Sequence, residues 1–184
     1  MYPLPSTAPV RLHRSPFMTE PVRQLYLSAF PPEERRPLHL LEHMVSSSDA
    51  PVSLFVAESE GKFAGFITLW QLDDSLFYVE HFATVPSLRG RGLGAAILAD
   101  LRRLLPEGAT VVLEVEKPDN DMACRRIGFY TRSGFRLHDD YVYIQPPYSS
   151  SLHKVEMKLM TCGDDDQDIA DIATRLRSIV YNCR

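Results

Sequence analysis

The run from Leu76 to Leu105 constrains the fold of this chain more than any other stretch. It begins Leu76-Phe-Tyr-Val-Glu80-His81-Phe82-Ala83-Thr84-Val85-Pro86. Aromatic and β-branched residues dominate it and Pro86 removes the next backbone donor, so the pattern predicts a strand that stops there. Ser87-Leu-Arg89-Gly90-Arg91-Gly92-Leu93-Gly94-Ala95 follows. Leu93, Ile97, Leu101 and Leu104 or Leu105 then recur at helical spacing until Pro106, Glu107 and Gly108 stop the helix. Thr110-Val-Val-Leu-Glu114-Val-Glu116 reads as the next strand. A strand, loop, helix and strand in that order require a parallel crossover, which puts the fourth and fifth strands in one sheet.

Glycines at alternate positions 90, 92 and 94 leave backbone N–H groups unshielded where the helix dipole is positive, an arrangement suited to phosphate or pyrophosphate. Arg89 and Arg91 add full charges. A plain flexible turn is the bland alternative, and the strand before and helix after weigh against it. An NTPase phosphate loop would need Lys and then Ser or Thr after the last glycine, and here Ala95-Ala96 follows. A dinucleotide fingerprint would need a different final glycine spacing, although Glu114 and Glu116 lie near the distance for its acidic residue. It stays as a minor alternative.

Arg89-Gly90-Arg91-Gly92-Leu93-Gly94 resembles the pyrophosphate loop of the GNAT acetyltransferases, Arg/Gln-x-x-Gly-x-Gly/Ala. Phe82-Ala83-Thr84-Val85-Pro86 is similar to that family's fourth strand. Tyr130-x-x-x-Gly134-Phe135 resembles the end of its last catalytic helix. The resemblance spans about residues 10–160, and Glu80-His81-Phe82-Ala83, Arg126-Ile-Gly-Phe-Tyr130 and Ile144-Gln-Pro-Pro-Tyr148 resemble uncharacterised bacterial members. It implies an α/β (α+β) GNAT fold: a mixed sheet of about six or seven strands, parallel and splayed at the fourth and fifth, with about four helices and a C-terminal extra helix. The GNAT domain is expected over 1–162, with an acidic segment and amphipathic helix over 163–184.

The resemblance also implies acetyl-CoA as co-substrate and no metal. The amides of Gly90, Arg91, Gly92, Leu93, Gly94 and Ala95, with Arg89, would hold the pyrophosphate, and the backbone of Phe82, Ala83 and Thr84 the pantetheine arm. Seven positions before Tyr130 the family commonly has Asn and this chain has Ala123, so that cofactor contact is absent or moves to Asn120. An amine acceptor must lose its proton to react. Glu80, in phase with Tyr78, Phe82 and Thr84, and Glu114, in phase with Val112 and Glu116, are both candidate bases. The residues do not choose between them. Tyr130 is the expected acid toward the departing thiolate, against a reading as a core tyrosine, and His81 is expected to be a packed histidine. The leading function is transfer of acetyl from acetyl-CoA to a small-molecule or protein amine. The alternative is a non-catalytic acyl-CoA-binding sensor.

Composition sets the bounds. With 184 residues, 45% of them hydrophobic, one packed domain is expected. A net charge of −4 argues against general nucleic-acid binding. Cys124, Cys162 and Cys183 lack the spacing of a disulfide framework or zinc site, which makes a reducing, cytoplasmic setting the default. No leader-like start and no membrane-length apolar run is visible.

Upstream, residues 1–9 with Pro3, Pro5 and Pro9 read as extended and Val10–His13 as an edge strand. Pro21–Phe30 is predicted as a helix capped by Thr19, and Pro37–Val45 as a second. Glu33-Glu34-Arg35-Arg36 between them is foremost a solvated charge run. Val52–Glu58 and Phe63–Leu72 are predicted as a hairpin about Ser59-Glu60-Gly61-Lys62. Downstream, Met122–Ser133 is predicted as a helix ended by Gly134. His138–Ile144 and Leu152–Met160 are predicted as closing strands, with Tyr141, Tyr143 and Tyr148 as a candidate aromatic wall for a cationic amine. The tail helix, opened by Asp164-Asp-Asp166, has an apolar stripe at Ile169, Ile172, Leu176, Ile179 and Val180. Docking on its own domain is the favoured reading, with a homodimer as the other.

Overall fold

The computed structural model describes residues 9–148, 153–163 and 167–182. Pro3, Pro5, Ser149–Ser151, Leu152, Asp164–Asp166 and Cys183 lie outside the described residues. The elements are β1 (Val10–Ser15), α1 (Glu20–Ala29), α2 (Leu38–Ser46), β2 (Val52–Ser59), β3 (Lys62–Gln71), β4 (Leu76–Thr84), α3 (Leu93–Leu104) and β5 (Thr110–Glu116). After them come α4 (Asp121–Arg132), β6 (Arg136–Leu137), β7 (Tyr143–Gln145), β8 (Val155–Cys162) and α5 (Ile169–Arg175). The strands form one mixed sheet in the order β1-β2-β3-β4-β5-β8-β6, with β7 also on β8.

Two compact units divide the chain. The first takes the chain through Pro32, Arg36–Leu69 and His81–Leu105. Its core is the apolar side of α1 and α2 on the sheet: Val22, Leu25, Tyr26, Leu41 and Val45 against Leu54, Val56 and Phe66. The helices have those faces because their apolar residues recur every three or four positions. Thr19 holds the N-cap position of α1, but its side chain makes no capping bond; its carbonyl accepts from Arg23 N–H at 3.0 Å instead. In α3, Leu93, Ile97, Leu98 and Leu101 are buried, whereas Leu104 is half exposed in the last turn. Between β2 and β3 the turn puts Glu60 and Gly61 both at positive φ, 53° and 71°, the conformation a tight hairpin needs.

The second unit takes Glu33–Arg35, Trp70–Glu80 and the chain from Pro106 on. Glu33 and Glu34 are exposed, as a solvated run would be. Asp73 Oδ1 accepts from the N–H groups of Ser75 and Leu76, each at 2.7 Å, which turns the chain into β4. β4 and β5 pair in parallel from Leu76↔Thr110 to Val79↔Leu113, and the ladder ends there although β4 runs on to Thr84.

The closing strands differ from expectation. In place of one strand over 138–144, β6 and β7 are two short pieces, both antiparallel to β8. Asp139 and Asp140 cause the break: poor strand formers, they turn away while Lys158 Nζ bonds both the Asp139 carbonyl and, at 3.2 Å, its carboxylate. The split raises the sheet to eight strands. The tail stripe is docked: Ile172, Ala173, Leu176 and Val180 are buried. Among the described residues no helix is long and apolar enough to cross a membrane, and no group of three or more His, Cys, Asp or Glu could hold a metal. Cys124 is exposed and Cys162 buried, and neither is in a disulfide among the described residues.

Candidate active site

In the first unit, β4 runs into a single turn at Pro86–Leu88 and the chain enters α3 at Gly92. Gly90 and Gly92 have φ of 78° and 75°, left-handed backbone that costs an L side chain roughly 1–2 kcal/mol. A Cβ on Gly90 would meet nothing within 4 Å, so conformation and open approach, not crowding, call for glycine there. The N–H groups from Gly90 through Ala95 have no acceptor among the described residues. Arg89, Gly90, Arg91 and Gly92 are exposed, and neither arginine is used in an ion pair among the described residues. Free donors at a helix start, with two cations beside them, fit a diphosphate.

The end of β4 divides by alternation. Val85 N–H donates to Ala64 O at 2.9 Å, so Ala83, two residues back, also turns its peptide groups toward β3. Phe82 and Thr84 turn theirs away from it. Of the stretch expected to meet an extended ligand, those two turn their peptide groups away from β3 and Ala83 does not.

In the second unit the chemistry gathers on Glu114. Its Oε2 accepts from Tyr78 OH at 2.9 Å, Tyr181 OH at 2.8 Å and Gln145 Nε2 at 2.6 Å. Oε1 and the Tyr143 hydroxyl are both buried and interact with each other, although their geometry falls short of a full hydrogen bond and neither has another hydrogen-bond partner among the described residues. Burial pushes the Glu114 carboxyl above the usual carboxylate range, and the surrounding Tyr and Gln donors oppose that rise without cancelling it. Burial likewise raises the hydroxyls of Tyr78, Tyr143 and Tyr181, and the negative Glu114 adds to the effect, so each remains a donor. Glu80 and Glu114 are the residues that follow Val79 and Leu113, the last pair of the parallel ladder. Glu80 accepts from Trp70 Nε1 at 2.8 Å.

Tyr130 is held on the last turn of α4 because Phe135 N–H donates to its carbonyl at 3.0 Å, around Gly134 at φ 91°. Its ring lies 5.1 Å from that of Phe129 and 5.6 Å from that of Phe135. Burial pushes its hydroxyl up to about 12, and the hydroxyl makes no hydrogen bond among the described residues. Asn120 has a structural occupation: its Oδ1 caps α4 by accepting from Ala123 N–H at 2.9 Å. His81 is a packed histidine, 1% exposed, between Tyr26 and Phe30 at 5.0 and 4.9 Å, with Nδ1 3.1 Å from Thr68 Oγ1.

The aromatic wall is reapportioned. Tyr143 is fully buried, with the Arg177 guanidinium 5.5 Å from its ring centroid, so this chain supplies the cation at that face. Tyr148 packs on Tyr181 at 5.5 Å. Sequence reasoning missed Tyr78, Gln145 and Tyr181 as partners of Glu114. The available signal was a polar-tipped tyrosine at the same strand phase as Glu80, and the Gln145-Pro-Pro-Tyr148 phrase.

The sequence model of the Acetyltransferase (GNAT) family matches residues 19–135. The chain belongs to the GNAT acetyltransferase family. A protein of Bacteroides thetaiotaomicron assigned to the GNAT family superposes with a TM-score of 0.84 at 36% identity, over 95% of this chain and 99% of its own. Two more distant GNAT-fold structures match at TM-scores of 0.59 and 0.58. One is an Elizabethkingia anophelis acetyltransferase with acetyl-CoA bound, at 16% identity over 85% of this chain and 99% of that one. The other is a Bacillus subtilis acetyltransferase in complex with CoA, at 14% identity over 84% and 99%. At such identities they show the shared fold. No curated protein matches. Family membership makes this GNAT chain an acyltransferase by kind.

Proposed function

We propose that this GNAT protein transfers acetyl from acetyl-CoA to a primary amine, with Glu114 as the base. The observation that carries the reading is the row of N–H groups from Gly90 through Ala95 that no acceptor among the described residues uses. Those amides and the Arg89 and Arg91 charges hold the diphosphate of the co-substrate, and the outward backbone of Phe82 and Thr84 receives its extended arm. The co-substrate supplies an activated thioester. Everything else is done by this chain's own groups.

At pH 7 only roughly one lysine-like amine in a few thousand is neutral, given a pKa near 10.4. A carboxylate whose affinity for protons is raised by burial, with one oxygen held in place by three donors, is suited to take the amine's proton. Glu80, the other carboxylate at the end of the ladder, adds negative charge that favours an ammonium group on the acceptor. As the carbon–sulfur bond breaks, Tyr130 donates a hydrogen bond to sulfur. Full proton transfer from a hydroxyl near 12 to a thiolate whose acid is near 8.5 would run uphill by about 5 kcal/mol. Tyr130 therefore stabilises the leaving thiolate and keeps its proton.

A thiol-release assay with acetyl-CoA tests the reading against polyamines, amino acids, aminoglycosides and a peptide N-terminus. Amine-dependent release is expected. Tight acetyl-CoA binding with no release for any amine overturns it in favour of a sensor.

A further inference from the structure

We propose that Tyr181, near the end of the C-terminal tail, is a positioning residue for acetyl transfer: by holding Glu114 Oε2 it fixes the orientation and the proton affinity of the carboxylate that takes the acceptor's proton. The inference rests on the reading of Glu114 as base and goes beyond it, because the family match ends at residue 135, far short of the tail.

The tail is built to deliver this hydroxyl. Asp168 caps α5 through Ala170 N–H at 3.0 Å, and Ile172, Ala173, Leu176 and Val180 are buried. Arg175 is paired with Asp73 at the turn into β4, the strand that contributes Tyr78. The helix then widens into a π turn over Leu176–Val180, closed by Tyr181 N–H donating to Leu176 O at 3.3 Å. Such a turn re-aims the residue that follows it. Tyr181 OH lies 2.8 Å from Glu114 Oε2 and accepts from Gln145 Nε2 at 3.0 Å, while its ring packs on Tyr148. For packing alone a phenylalanine would serve. The hydroxyl is what reaches the carboxylate.

The groups facing Glu114 are Tyr78 and Glu80 from β4, Tyr143 and Gln145 from β7 with Tyr148 beyond it, and Arg177 and Tyr181 from the tail. Its partner on β8, Leu159, is apolar. Arg177 is the cation of the set, and it lies over Tyr143. Burial raises the proton affinity of Glu114 and neutral donors hold it down, so removing one donor raises it further.

The test uses the full chain carrying Tyr181→Phe. The pH dependence of kcat/KM is measured beside a carbon-NMR titration of the Glu114 carboxyl. A donor lost from a buried carboxylate shifts its titration and the acid limb of the rate profile upward by about one pH unit, with the acetyl-CoA KM unchanged. Tyr181→3-fluorotyrosine keeps the shape, strengthens the donor and moves both downward, which also covers a poorly folding phenylalanine variant. If neither substitution moves either curve, the positioning role is overturned and only packing remains, whether or not Glu114 is the base. Should Glu114→Gln keep full activity, the base assignment falls and this inference falls with it, even if the NMR curve moves.

Discussion

The glycine loop and the Glu114 cluster solve opposite problems. In the loop, consecutive residues from Gly90 to Ala95 supply backbone donors that no acceptor among the described residues uses, at the start of a helix whose approach from Arg89 to Gly92 is exposed. In the cluster, side chains from β4, β5, β7 and the tail converge on one buried carboxylate, and one of its two oxygens is saturated. A loop for a charged diphosphate must stay open and keep its donors unspent. A base must be shielded from water and held in one orientation, and this demands donors from several elements. The contrast explains why one region is a local motif and the other a product of folding.

Glu114→Gln breaks the contrast most directly: it keeps the side chain's shape and removes the proton acceptor. Turnover with a responsive amine should fall about 10²–10⁴-fold while acetyl-CoA affinity, measured by calorimetry, holds. Glu80→Gln serves as comparison, and an equal or larger fall there would transfer the base role to Glu80. Next in size is Tyr130→Phe, which removes a donor to a developing thiolate. A loss of about 10- to 100-fold in kcat with a steady acetyl-CoA KM is expected from steady-state assays.

Gly92→Ala attacks the other region. Left-handed strain of roughly 1–2 kcal/mol should shift the loop out of its donor arrangement and raise the acetyl-CoA KM about tenfold, with kcat at saturation little changed. A drop in kcat alone would mean that the loop does more than bind.

The smallest effect is on stability. A carboxyl raised in the folded state keeps its proton where the unfolded chain has lost it. Its contribution is therefore present below about pH 4.3, the ordinary value for Glu, and lost as pH climbs through the folded value. Measured by denaturant unfolding, the native protein should lose stability relative to Glu114→Gln across that window. A difference that is flat with pH would contradict the upward shift.

The loop was legible in the sequence because its chemistry is contiguous, and the same holds for the helix faces and the Tyr130–Gly134 ending. Boundaries moved where side chains competed with strand hydrogen bonding, as at Asp139 and Asp140. The partners of Glu114 were not legible. Tyr78 and Tyr181 lie at remote points of the chain, and no spacing rule joins them. Arg177 over Tyr143 is another case: a ring that looks like a wall for a foreign cation is satisfied by a local one.

The sequence by itself determined the order of strand, glycine turn, helix and strand, because backbone preference and hydrophobic period act over a few residues. It also determined that the carboxylates 80 and 114 lie on neighbouring parallel strands. Only the tertiary structure decided which of them is buried among donors. Burial, and the hydrogen bonds that offset its cost, come from segments far apart in the chain whose meeting is fixed by packing.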